Sequence, residues 1–122
     1  MVLKKFFRSL SHALRGLLYV WKEELNFRIQ LLIAAFLIGV VFFFRFSYTE
    51  AALVIFSIIL VLGAEIINTI VEDMLDKIEP NHHTLIGHIK DMMAGVVLVT
   101  SIGACAIGVA TFVHHFLFAP IS

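Results

Sequence analysis

The chain has 122 residues, 61% of them hydrophobic and only 15% charged, with nine basic and nine acidic side chains and a mean hydropathy of +1.00. Soluble domains carry nearer a quarter of their residues as charges, so an ordinary water-soluble fold is excluded. Zero net charge is silent on nucleic acid, but no basic arm or aromatic-basic groove stands out, and none is expected as a partner.

The charges crowd into 4–28 and 65–91 and nearly vanish from 29–64 and 92–122. Such uncharged lengths suit the hydrocarbon core of a bilayer, which about 20 apolar residues cross as a helix. The expectation is one all-α membrane domain over 1–122.

Residues 4–27 read first, as an amphipathic surface helix. Phe6, Phe7, Leu10, Leu14, Leu17, Leu18, Trp21 and Leu25 recur at three- and four-residue steps, while Arg8, His12, Arg15, Tyr19, Lys22 and Asn26 repeat on another face. A helix basic on one side and carrying Phe and Trp on the other suits the plane of a membrane interface. No cleavable signal is expected, because Lys4-Lys5 is followed by no continuous apolar core.

The first span is predicted at 29–46, with Arg45 close enough to its end to snorkel, and the second at 51–71. A polar loop over 72–91 follows, holding Pro80 and the His82-His83 pair. The third span, 92–118, is rich in Gly and Ala, which let membrane helices approach closely and mark it as a packing core. Cys105 within it reads as a small contact residue, and a lone cysteine forms no intrachain disulfide. His114-His115 at its far end read as interface residues, and Phe116 and Phe118 as interfacial aromatics. The loop histidines His82, His83 and His88 are too weak a pattern for a metal site.

Orientation follows from the basic residues. Lys4, Lys5, Arg8, Arg15, Lys22 and Arg28 precede the first span, Lys77 and Lys90 separate the second and third, and only Arg45 lies opposite. The positive-inside rule then puts the N-terminus and the 72–91 stretch in the cytoplasm and the chain in the plasma membrane.

The informative residues are Glu65, Asn68 and Glu72, whose i, i+3, i+7 spacing shares one helix face. Glu65 lies fourteen positions past Ala51, roughly 21 Å at about 1.5 Å per residue, still inside the core of the membrane. An intramembrane carboxylate marks a functional site by default; the plain alternative is a structural carboxyl bonded to a neighbouring helix. Two carboxylates and an amide on one face suit a hard cation such as Mg²⁺, which takes one or two carboxylates and completes its shell with phosphate oxygens and water. Lys90-Asp91 would bring a cation and a further carboxylate to the same depth, and Glu24 at the end of the surface helix reaches it too. Arg28, one turn on, is placed to pair with Glu24. Carboxylates for metal and a lysine for phosphate are the parts of a phosphoryl-transfer site.

These residues also carry a resemblance. Glu65-Ile-Ile-Asn68-Thr69-Ile-Val-Glu72-Asp73 resembles the E-x-x-N-(T/S)-A-(I/V)-E signature of the prokaryotic diacylglycerol/undecaprenol kinases. Lys90-Asp91-Met-Met-Ala94-Gly95-Val-Val-Leu98 is similar to that family's K-D-x-x-A-(G/A)-A-V-L, and Trp21-Lys-Glu-Glu24-Leu-Asn26-Phe27-Arg28 to its junction of surface helix and first span. The three motifs stand in order across nearly the whole chain. Two departures are Ile70-Val71, bulkier than the usual Ala-Ile, and His88, where many members carry Arg or Lys.

The resemblance implies a homotrimer of three-span subunits with composite sites, using ATP and Mg²⁺ to phosphorylate a membrane lipid alcohol directly. By position it implies Glu65 as general base, Glu24 and Glu72 as metal ligands, and Asn68, Lys90 and Asp91 as supports for ATP and its phosphates. Trp21 and Arg28 would support the lipid. Asn26-Phe27-Arg28 with Glu24 looks more like the undecaprenol branch than the diacylglycerol branch. In a shared site, Glu24 of one subunit is expected to meet Glu65 of the next. No phosphate-binding Gly-rich loop is present, so side chains and metal must hold the nucleotide.

Two other classes stay open on the sequence. A small proton-coupled transporter would use Glu65 as proton carrier, though such proteins usually need four spans. A structural or pore-forming peptide would not require Asn68, Glu72 and Lys90-Asp91 together.

Overall fold

The computed structural model describes residues 1–78, 81 and 83–118; Pro80 and His82 of the polar stretch lie outside them. The chain is helical in four pieces: α1 Val2–Glu23, α2 Leu25–Phe43, α3 Tyr48–Ile78 and α4 Thr84–Val113, the last running into a π-helical turn at His114–Phe118. Three of these, α2, α3 and α4 with its turn, are long and apolar enough to cross a membrane.

The core is a thin seam. Phe27, Ala34 and Val41 of α2 are buried at seven-residue steps, and Val54, Ser57, Ala64, Glu65 and Thr69 of α3 are buried as well. A seven-residue apolar repeat keeps one stripe facing a neighbouring helix along its length. The small groups at Ala34, Ser57 and Ala64 allow close approach without a hydrophobic drive from water. Ser57 and Thr69 return their hydroxyls to Leu53 O (2.9 Å) and Glu65 O (3.0 Å), so burial leaves neither unsatisfied.

α4 packs mainly along α3, and Gly95, Ala104 and Gly108 are half-buried on it. Ala94, Gly103, Cys105, Ala106 and Ala110 stay exposed, so the subunit's own helices cover only one side of the expected packing core. On α1 the apolar stripe is open too, with Phe6 60% and Leu14 58% exposed.

The α1–α2 joint is one residue wide. Glu24 is extended (φ −113°, ψ 110°) and serves as the last cap of α1 and the first of α2. Its amide still donates to Val20 O at 2.9 Å and its carbonyl accepts from Arg28 N at 3.3 Å. The apolar stripe read over 4–27 therefore ends as a helix at Glu23. No Gly or Pro signals this break, which tertiary packing imposes: Val20 and Phe27 are buried on either side of it.

The α2–α3 turn is short because both ends are capped. Arg45 takes a left-handed conformation (φ 54°). Around it Phe46 N donates to Val41 O (3.0 Å) and Arg45 N to Phe42 O (3.3 Å), the paired bonds of a Schellman motif. Ser47 and Glu50 then close a capping box, Ser47 N donating to Glu50 Oε1 at 2.9 Å and Glu50 N to Ser47 Oγ at 3.2 Å.

At the other end, α3 continues through Glu72–Ile78 and α4 begins at Thr84. Most of the 72–91 stretch read as a loop is thus helix. Half-buried Leu75 extends the inward stripe of α3 past the apolar span.

His114 and His115 do more than sit at an interface. The widened π-helical turn presents His114 Nδ1 to Glu50 Oε2 at 3.4 Å and His115 Nδ1 to both Glu50 oxygens at 3.2 Å. His115 also stacks on Phe46, ring centroids 3.9 Å apart, while its Nε2 lies 3.0 Å from Phe44 O. Phe116 packs edge-on against Phe44 and Phe46 on one side and stays 49% exposed on the other.

Candidate active site

α3 builds the site because one of its faces repeats polar residues where the apolar run ends: Glu65, Asn68, Glu72 and then Asp76. Glu65 is 3% exposed. Its carboxylate accepts from Gln30 Nε2 of α2 at 3.3 Å, which joins the two spans by a polar bond inside the membrane. Two buried acceptors on the same two helices, Gln30 Oε1 and Asn68 Oδ1, have no hydrogen-bond partner among the described residues. Enclosed polar atoms are ordinarily paired, and an unpaired one in a native fold asks for a functional explanation.

Glu24 meets this face from the α1–α2 joint. Its carboxyl titrates above the ordinary glutamate range, first through burial and then through repulsion from Glu72, Glu65, Asp73 and Glu23. The side chains read as metal ligands are therefore close enough within a single chain to oppose one another's ionisation. Tyr19 strengthens the joint, its hydroxyl donating to Asp73 at 3.2 Å across α1 and α3. That bond, followed by the charge of Asp73, raises the proton affinity of the Tyr19 phenol.

A cation fits this arrangement in the manner of magnesium. Among the described residues no three His, Cys, Asp or Glu side chains form a closed metal cluster. Mg²⁺ needs no such cage, since it keeps water and phosphate oxygens in its shell. The crowded carboxylates of Glu24 and Glu72 and the unpaired Asn68 oxygen are the kind of hard donors it takes.

The remaining residues are less gathered. Lys90 is held in a salt bridge by Asp76 on α3, and Asp91 is exposed on α4. Trp21 and Arg28 are half-buried near the joint. Arg28 makes no ion pair with Glu24; among the described residues the salt bridges are Lys90–Asp76, His114–Glu50 and His115–Glu50. The bulky departures do not fill the site, since Ile70 is 51% exposed and His88 is exposed on α4.

Sequence reasoning missed Gln30, Asp76 and the Tyr19–Asp73 bond. Gln30 had a visible signal, as the sole polar residue between Arg28 and Arg45. Asp76 had one as well, lying one turn beyond Glu72 on the same face. Tyr19 had none, because the Glu24 break that brings α1 back to α3 is not written in the local sequence.

Fold and site together define an all-α membrane protein with a carboxylate buried between two spans and acidic and amide groups collected at one end. The model of the family "Prokaryotic diacylglycerol kinase" matches residues 11–112. A diacylglycerol kinase of Haemophilus influenzae is 33% identical over 101 residues, 83% of each chain. An undecaprenol kinase of Bacillus subtilis is 32% identical over 110 residues, 90% of this chain and 89% of its own. A diacylglycerol kinase of Escherichia coli K12 is 27% identical over 100 residues, 82% of each. The chain belongs to the prokaryotic diacylglycerol kinase family and is a membrane-embedded lipid kinase. This membership sets aside the transporter and pore readings of Glu65.

Proposed function

We propose that the protein transfers the γ-phosphate of ATP directly to the hydroxyl of a membrane lipid alcohol at the cytoplasmic face of the plasma membrane, with Mg²⁺. The observation that carries this reading is Glu65, buried at 3% exposure on a pair of helices with two enclosed oxygens that lack donors among the described residues. A carboxylate there is costly unless it works.

Glu65 accepts the proton of the lipid hydroxyl. The hydroxyl oxygen forms its bond to the γ-phosphorus as the bond to the β–γ bridging oxygen breaks, and ADP leaves. A positioned base of this kind contributes about 10²–10⁴-fold. Glu24 and Glu72 would hold Mg²⁺, which supplies charge neutralisation on the phosphates. Asn68 orients the nucleotide side of the site, and Asp91 supports it. Lys90 meets phosphate by exchanging it for Asp76, a partner of the same charge sign. Trp21 and Arg28 border the lipid at the joint of α1 and α2, where the apolar stripe of α1 lies on the bilayer. The uncovered small-residue side of α4 supports a homotrimer as the working assembly.

Glu24-Leu25-Asn26-Phe27-Arg28 favours undecaprenol as the alcohol. The identities to the two kinds of relative, 33% and 32%, do not separate the substrates. The test is a phosphorylation assay of purified protein in micelles with MgATP, offering undecaprenol and diacylglycerol in parallel and Glu65→Gln as the blank. Labelled lipid phosphate from undecaprenol is expected at the higher kcat/KM. ATP consumption that neither alcohol stimulates would overturn the reading.

A further inference from the structure

Gln30 has no place in the proposed reaction, yet among the described residues it is the one side chain that hydrogen-bonds the Glu65 carboxylate. It stands in an otherwise apolar stretch from Ile29 to Phe44, where an amide is expensive unless it is paired. Only one end is paired. Nε2 donates to Glu65 Oε2 at 3.3 Å, while the enclosed Oε1 accepts nothing among the described residues. A side chain kept only to join α2 to α3 would gain by satisfying both ends, or by being replaced with a hydrocarbon.

We propose that Gln30 is the positioning residue for Glu65: its amide ties one carboxylate oxygen and leaves the other turned to the lipid hydroxyl. The inference rests on the reading of Glu65 as the base.

The geometry explains why a tether is needed. A glutamate side chain has three rotatable bonds, and α3 itself supplies no hydrogen bond to the Glu65 carboxylate among the described residues; Thr69 binds only its backbone carbonyl. Without Gln30 the carboxylate swings through rotamers that miss the hydroxyl. Misplacement of about 1 Å can cost roughly 10²-fold in rate. Because α2 carries Gln30 and α3 carries Glu65, the tether also makes the base depend on the packing of α2 against α3.

The test is a double-mutant cycle on the full chain in micelles, with MgATP and whichever lipid alcohol it phosphorylates. Gln30→Met keeps length and removes the donor, and Gln30→Leu serves as a second variant if the thioether disturbs packing. Either should lower kcat about 10- to 100-fold, with KM for lipid and for MgATP within twofold and an unchanged thermal midpoint. In a Glu65→Asp background, whose carboxylate is one methylene short of the amide, the same change should cost less than threefold.

Equal losses in both backgrounds would show a merely structural role and overturn the proposal. So would a rise in lipid KM with kcat intact, which would make Gln30 a lipid contact. Glu65→Gln alone tests the underlying reading. If that variant keeps its activity, the base assignment fails whatever Gln30 does; if it loses activity while Gln30→Met keeps it, only the tether fails.

Discussion

The two ends of the helical bundle treat buried polarity in opposite ways. At the α2–α3 turn, Glu50 is buried and fully occupied by the Ser47 amide, His114 and His115, and His115 is in turn braced by Phe46 and the Phe44 carbonyl. At the other end Glu65 is just as buried, but among the described residues it has one donor, and Gln30 Oε1 and Asn68 Oδ1 have none. A carboxylate with all its partners supplied by the protein can only hold the fold together. One left short of partners is free to take a proton or face a cation, and it lowers stability to remain so. Inventory of donors, more than burial, separates Glu50 from Glu65, and on the proposed reading it separates a structural carboxylate from a catalytic one.

Mutation at the working end should change rate first. Glu65→Gln is expected to lower kcat by about 10²–10⁴-fold while the protein stays folded, measured as lipid phosphate formed per time. Activity within a few-fold of wild type would erase the contrast between the two ends.

Glu24→Gln and Glu72→Gln should each raise the Mg²⁺ requirement by at least about tenfold, and the ATP requirement more than that for lipid. Glu24 adds a pH signature. Its raised proton affinity stabilises the folded state below the ordinary glutamate range, and that contribution is lost as pH rises through its titration in the fold. Glu24→Gln should therefore match wild type in thermal midpoint at acid pH and exceed it at neutral pH. Added Mg²⁺ should close the gap by stabilising wild type alone.

In a shared site, co-refolding Glu65→Gln with Glu24→Gln subunits should restore activity to a sizeable fraction of wild type, and mixing preformed assemblies should not. Co-refolded mixtures as inactive as either parent would place both carboxylates in one subunit, where Glu24 already feels the charge of its own Glu65 and Glu72.

The structural end should respond in stability alone. His115→Ala leaves Glu50 without its best side-chain partner, at a cost of about 1–3 kcal/mol, read as a lower unfolding midpoint with kcat within twofold at a permissive temperature. The smallest effect is a gain. Arg45→Gly relieves a left-handed φ of 54° and should stabilise by up to about 1 kcal/mol.

Much of this was legible in the residue order, for reasons that differ between elements. Spans show because hydrocarbon forbids charge, and the gaps at 29–64 and 92–122 are long. Glu65, Asn68 and Glu72 show because helical periodicity survives in any helix. Helix ends were less legible: α3 runs on to Ile78 and α4 starts at Thr84, since a helix needs no membrane to continue once its residues favour it. The histidine pair was read as interfacial because nothing local reveals that residue 50 lies beside residue 115. The same holds for Gln30 and Glu65, thirty-five positions apart. What periodicity cannot carry is contact between elements, and there the break at Glu24, unmarked by Gly or Pro, decides which residues meet.

That break has a consequence for the membrane itself. α1 leaves its phenylalanines and leucines uncovered, α2 and α3 are long and apolar enough to cross a bilayer, and Glu24 is the single extended residue between α1 and α2. Glu72 rides on the upright part. A bilayer of different thickness tilts the spans to match their apolar length, while the surface helix keeps its depth in the headgroups. On the proposed reading, with α1 on the surface and Mg²⁺ held by both carboxylates, their separation and with it the magnesium requirement would follow lipid chain length.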